Sequence, residues 1–208
     1  FRGFIDQPTA TMRRYPPCDT SDEARYSRAF AFYRLVEVDE AMAEFDALIA
    51  AVETNPYFYE LKGHILFETG RVTDAIPLHA QAVELAPDEP LLQINLAQAI
   101  LAAPGSEKDP KAGPDAREHL LVALEADDAN PFAYNQLAMT YAREGNDGLA
   151  ALYTAEQHYH SGNMAGAETF AVRAVHYIEK GTPAWHRASD IINVSRNMRM
   201  RWSITARS

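Results

Sequence analysis

Apolar positions recur three and four residues apart along most of this chain, which places them on one face of an α-helix. Between Pro56 and Gly70, Tyr59, Gly63 and Leu66 share such a face, and Gly70 ends the helix. Ala75, His79 and Ala82 mark the next helix, and Pro87 stops it. The pattern then repeats. Pro56 to Pro90 is 34 residues, and Pro90 to Pro131 is 41, or 34 plus an insertion of 7. Ala97 stands 34 after Gly63, and Ala116, Leu120 and Ala123 stand 41 after Ala75, His79 and Ala82. Tyr134, Leu137, Ala138 and Tyr141 replay the first helix of the block, and Gly145 ends it.

A 34-residue period of paired helices is that of the tetratricopeptide repeat, or TPR. Its residue types have a physical cause. Two antiparallel helices approach closely only where side chains are small, so Gly63, Ala75, Ala97 and Ala138 mark crossings and large residues fill the space between. One pair cannot bury its own apolar face, so several must stack. The expected fold is therefore all-α, a TPR solenoid of about four helix pairs plus flanking helices. Residues 1–20 read as a short helix, Pro8 to Arg14, and a linker stopped by Pro16 and Pro17. The solenoid follows over 21–195, with pairs near 21–53, 56–89, 90–128, 131–160 and 164–195. The third pair carries an inserted loop at 103–113, rich in Pro and Gly. Thr20 with Glu23 reads as a capping box for the first pair, whose turn lacks the usual glycine. Thr182 and Pro183 open a last helix that caps the stack.

Composition narrows the function. The chain has 208 residues, 47% of them apolar, enough for a packed core. Its formal charge of −10 argues against nucleic acid as the main partner. Residues 196–208 form an Arg-rich end; with Arg187, Arg196, Arg199, Arg201 and Arg207 it reads as a frayed, solvated tail, the alternative being a docking strip for an acidic partner or a lipid headgroup. Cys18, the lone cysteine, reads as a half-buried loop residue with no disulfide or metal role. No stretch reaches the length of a membrane span, and no signal peptide is visible. The chain opens at Phe1, which reads as a piece of a longer product.

Chemistry is hard to find. His158 and His160 are two apart and leave a helix on different sides, unlike the i, i+4 pair that a zinc helix needs. His79 stands where a bulky packing residue belongs. Ser161 sits in a helix-ending turn, the glycines form no phosphate cradle, and Asp127 and Asp128 are turn carboxylates. Catalytic residues, metal ligands and cofactors are thus expected to be absent from this chain. A cryptic metal site near His158 and His160 is the distant enzymatic alternative.

A peptide-binding groove is easier to name, because the first helix of each TPR pair lines it. In the first block that face carries Tyr57, Glu60, His64 and Phe67. Leu91, Ile94, Asn95 and Gln98 follow in the second, and Phe132, Asn135, Met139 and Arg143 in the third. Amides bond a ligand backbone whatever its side chains, and Met repacks against varied ones. Asn95 and Asn135 also suit a clamp on a terminal carboxylate, but the Lys and Arg that complete one are mostly missing.

Two stretches are more specific than the repeat. Asn55-Pro56-Tyr57-Phe58 with Glu60-Leu61-Lys62-Gly63 and Gly70-Arg71, and Gly181-Thr182-Pro183-Ala184-Trp185 with Arg187-Ala188 and Asp190-Ile191, resemble the C-terminal TPR region of periplasmic zinc metalloproteases of the BepA type. Thr11 to Pro16 and Ala82 to Asp88 add to the likeness, which covers most of residues 3–192. The resemblance implies a parent with an upstream HExxH protease domain, zinc in that domain, and a periplasmic address. It also implies a role in outer-membrane protein quality control, with the TPR part holding substrates, the assembly machinery or its own protease domain. This chain contains no HExxH, so no catalytic residue or zinc ligand carries over. The rival expectation is a free-standing TPR adaptor with no protease attached.

Overall fold

The computed structural model describes residues 7–205, with side chains through 198. Every regular element among them is helical: α1 (Pro8–Arg14), α2 (Asp22–Arg34), α3 (Val38–Ala51), α4 (Pro56–Glu68), α5 (Val72–Leu85), α6 (Pro90–Ala102), α7 (Ala112–Ala126), α8 (Pro131–Arg143), α9 (Asp147–His160), α10 (Met164–Tyr177) and α11 (Pro183–Thr205). The all-α expectation holds. The chain divides into two compact units between Pro104 and Gly105. Helix α6 lies in the first unit and α7 in the second.

Local sequence explains the helix ends. Pro56, Pro90, Pro131 and Pro183 stand at the first helical turn, where their missing N–H costs nothing. Asn55 accepts from the Tyr57 N–H at 3.1 Å, and Asn130 accepts from Phe132 and Ala133, both at 3.1 Å. Thr182 accepts from Trp185 at 3.3 Å. At the start of α2 the cap is Ser21, which accepts from Ala24 at 3.4 Å. The expected box between Thr20 and Glu23 does not form, because Glu23 is bonded by the Tyr15 hydroxyl at 2.7 Å. The inserted loop is shorter than expected: α7 starts at Ala112 and takes Gly113 and Pro114 into its first turn, which tolerates proline.

Four helices end in the same way. Gly70, Gly145 and Gly162 take φ of 81°, 75° and 78°, and each turn closes with two backbone bonds, as in Gly70 N–H to Phe67 O and Arg71 N–H to Leu66 O. The turn after α2 makes the same two bonds, from Val36 to Tyr33 O and from Glu37 to Phe32 O, with Val36 at φ 65°. A β-branched residue thus holds the left-handed position that glycine holds elsewhere.

In unit 1 the core runs through Phe30, Phe45, Leu48, Ile65 and Leu66 around the small Ala29, Ala41 and Ala75. Gly63 is needed on α4 because a Cβ there would lie 3.0 Å from the His79 ring of α5. His79 is buried, as its position predicts. Its Nδ1 has no hydrogen-bond partner, and burial pulls its pKa down to about 4. In unit 2, Ala151, Ala155, Ala167, Ala171, Ala174 and Ala188 let α9, α10 and α11 approach, with Leu152 and Ile191 between them.

The C-terminal arginines differ from the expected tail. Arg187 grips the buried Glu156 with two bonds, at 2.5 and 2.7 Å, and Arg196 pairs with Glu168 at 2.8 Å. The backbone stays helical to Thr205, through Arg199 and Arg201; Arg207 lies outside the described residues. Cys18 is exposed rather than half-buried. No helix among the described residues is long and apolar enough to cross a membrane.

Candidate functional site

Each unit carries a pocket between its helices. In unit 1 a cavity of about 840 Å³ opens between α2 and α4, with the end of α1 beside it. Tyr15, Tyr26, Tyr57, Phe58 and Leu61 line it, with Asp22 and Glu23 on the first turn of α2. Phe58 and Leu61 pack against the unit's core, and Tyr26 is held by Phe30 and Phe45 at centroid distances of 5.0 and 6.5 Å. Tyr57 stands half in solvent. In unit 2 a pocket of about 250 Å³ lies among α8, α9 and α10, lined by Asn135, Met139, Asp147, Thr154, Phe170 and Arg173.

The sequence-derived groove residues divide into two groups. Tyr57 lines the first pocket, and Asn135 and Met139 line the second. Asn135 leans on its neighbour, with Nδ2 3.8 Å from the Met139 sulfur. His64 and Arg143 are exposed but outside both pockets, and Gln98 is half-buried. Glu60 and Asn95 were expected to face a ligand, but they face each other: Asn95 Nδ2 donates to Glu60 Oε1 at 2.9 Å, from α6 to α4. Glu60 is buried, and that burial pushes its carboxyl up to about 7, against the pull of the Asn95 bond. Phe67 packs on the unit 1 core, and Ile94 is buried.

Sequence reasoning missed the residues that complete the first pocket. Tyr15 precedes two prolines, and nothing local shows that its ring returns to α2. The anchor is Arg28. It is 2% exposed, grips Glu44 at 2.6 and 2.9 Å, and donates to the carbonyls of Pro16 and Asp19 at 3.0 and 2.8 Å. One buried guanidinium thus fastens the linker to the first helix pair. Phe170 and Arg173 were also missed, because the α10 pattern singled out only the alanines of the opposite face.

Solved structures set this arrangement in context. No protein-family model matches the chain, and no curated protein matches its sequence. A crystal structure of MamA aligns with a TM-score of 0.62 and 14% identity, over 85% of this chain and 94% of that chain. MamA from Desulfovibrio magneticus RS-1 aligns at 0.63 and 17%, over 74% and 86%. A thermophilic TPR protein from Thermus thermophilus aligns at 0.53 and 16%, over 83% and 99%. The fold is that of the TPR proteins.

Chemistry within this TPR chain is sparse. Among the described residues no group of three or more His, Cys, Asp or Glu could hold a metal. His158 and His160 do not converge: His158 stacks on Phe170 at 5.3 Å, and His160 stacks on Tyr134 at 5.1 Å. A polar cluster joins Glu156, Arg187 and His160 to stacked Tyr134 and Tyr153. Burial pushes both phenols up to about 12, so neither exchanges a proton near neutral pH.

Proposed function

We propose that this TPR chain recognises a segment of another polypeptide. The observation that carries this reading is a solvent-open pocket in each unit, lined by aromatic side chains and Asn55 in unit 1 and by Asn135, Met139 and Phe170 in unit 2. Tyr57, Leu91, Phe132 and Met139, on α4, α6 and α8, remain 44–51% exposed, apolar surface of the kind that docking covers. Immobilised full-length chain on an array of short random-sequence peptides tests it. Retention of a subset, lost on doubling up Tyr57→Ala with Met139→Ala, is the expected result. No retained peptide, or retention indifferent to both changes, overturns it.

The finer reading is that the chain is the substrate-handling region of a periplasmic zinc metalloprotease acting in outer-membrane protein quality control. The Asn55 to Arg71 and Gly181 to Ile191 stretches support it. Its zinc and its catalytic residues then belong to an upstream domain, and its partners are substrates, the assembly machinery or that domain itself. Reading the gene upstream of the Phe1 codon decides it. An open frame carrying a signal peptide and HExxH is expected; a start codon within a few residues overturns it. The rival reading is a free-standing TPR adaptor with no protease attached.

A further inference from the structure

We propose that the unit 1 pocket is a cage for a cationic side chain, a lysine or arginine carried on an apolar stretch of the bound polypeptide. This rests on the polypeptide-binding reading and names what its N-terminal part selects. Three features of the pocket point the same way.

The first is aromatic density. Tyr15, Tyr26, Tyr57 and Phe58 all line one cavity of about 840 Å³. The faces of aromatic rings attract cations, and more strongly where water is excluded. The second is charge. Asp22 and Glu23 stand at the rim, against the single lining cation Arg14. The aromatic side chains that line the same cavity are the independent observation that makes two carboxylates part of a cation site. An anionic segment would meet both carboxylates. The third is that the walls are built. Arg28 fixes the Pro16–Asp19 turn, the Tyr15 hydroxyl bonds Glu23, and Tyr26 is wedged on Phe30 and Phe45. The cation would thus enter a preformed site, which lowers the ordering cost of binding. Phe58 and Leu61 supply an apolar floor for the residue next to the cation.

The test uses the full chain and three fluorescein-labelled nonapeptides with the same apolar residues and one central Arg, Gln or Glu. Fluorescence anisotropy reads each affinity. The Arg peptide is expected to bind about tenfold more tightly than the Gln peptide, and the Glu peptide most weakly. Asp22→Asn with Glu23→Gln, and separately Tyr57→Ala, should each remove most of that preference with circular dichroism unchanged. Equal or tighter binding of the Glu peptide overturns the proposal, as does a preference that survives both variants, or no binding of any of the three. If the peptides bind without charge preference, the polypeptide-binding reading stands and the cage falls. If the peptide array is also blank, both fall.

Discussion

Val36→Gly should stabilise the protein, although it removes a hydrophobic side chain. Val36 sits at φ 65°, where three other helix ends place glycine, and it makes the same pair of turn bonds. An L-residue pays roughly 1–2 kcal/mol for the left-handed conformation, and a β-branched one lies at the upper end. The side chain is 80% exposed, so its loss uncovers almost no core. Glycine gives back about 0.5–1 kcal/mol through the greater freedom of its unfolded chain. The net gain is therefore about 1 kcal/mol. Urea unfolding followed by circular dichroism should show a higher midpoint with an unchanged slope. The rise in Tm should be about 2–4 °C if the chain melts as one, and about 4–8 °C if unit 1 melts separately. A Cβ added at Gly70 meets no atom within 4 Å, so the mirror change, Gly70→Val, reads chiefly the backbone cost and should destabilise by about the same 1 kcal/mol. A Val36→Gly chain no more stable than the natural one would refute the argument, because it would mean that the side chain makes up for its own strain.

Other perturbations have equally definite outcomes. The Glu60 carboxyl is raised from 4.5 to about 7, so between those values the folded chain keeps a proton that the unfolded chain has released, and the stability tied to that group falls as pH rises through the window. Glu60→Gln should therefore gain on the natural chain as pH goes from 4.5 to 7 and level off above; urea midpoints with a constant difference across pH would contradict this. His79 has the opposite sign: lowered from 6.5 to about 4, it costs stability as pH falls through that range, and His79→Gln should flatten the acid limb of the unfolding profile. Pro77 lies exposed inside α5, where it offers no N–H to the preceding turn, so Pro77→Ala should add about 1–2 kcal/mol by the same assay. Arg187→Ala leaves the buried Glu156 without its bidentate partner and should cost about 3–5 kcal/mol, whereas a loss below about 1 kcal/mol would show that water reaches the carboxylate.

The repeat was legible because periodicity, turn glycines and first-turn prolines are local signals, each tied to a backbone requirement. Helices α4, α5, α8 and α9 fall where the 34-residue spacing puts them. The site was legible only in part. Tyr57, Asn135 and Met139 line pockets, and helical phase alone suffices to expose them. Glu60, Asn95 and Phe67 share that phase but meet a neighbouring helix, and helical phase carries no information about neighbours. Tyr15 and Arg28 were beyond local reasoning for another cause: their partners lie across a proline-broken linker, and an arginine at a helical core position reads as a solvated charge until its carbonyl acceptors are known. The left-handed Val36 was foreshadowed by the missing glycine in the first turn, though the strain it carries follows only from the observed φ.

The seating of the His79 ring against Gly63 bears on how a repetitive chain avoids assembling out of order. Helices built to one pattern offer many near-equivalent partners, and a repeat array can trap itself by joining the wrong two. A ring that fits only where the facing helix has no Cβ removes most of those choices. At the matching positions of the next blocks stand Ala97 and Ala138 in place of the glycine, and Leu120 in place of the histidine. Among these matched positions α4 alone offers the His79 ring that opening, and the unsatisfied nitrogen on the ring is the cost of being recognisable among siblings.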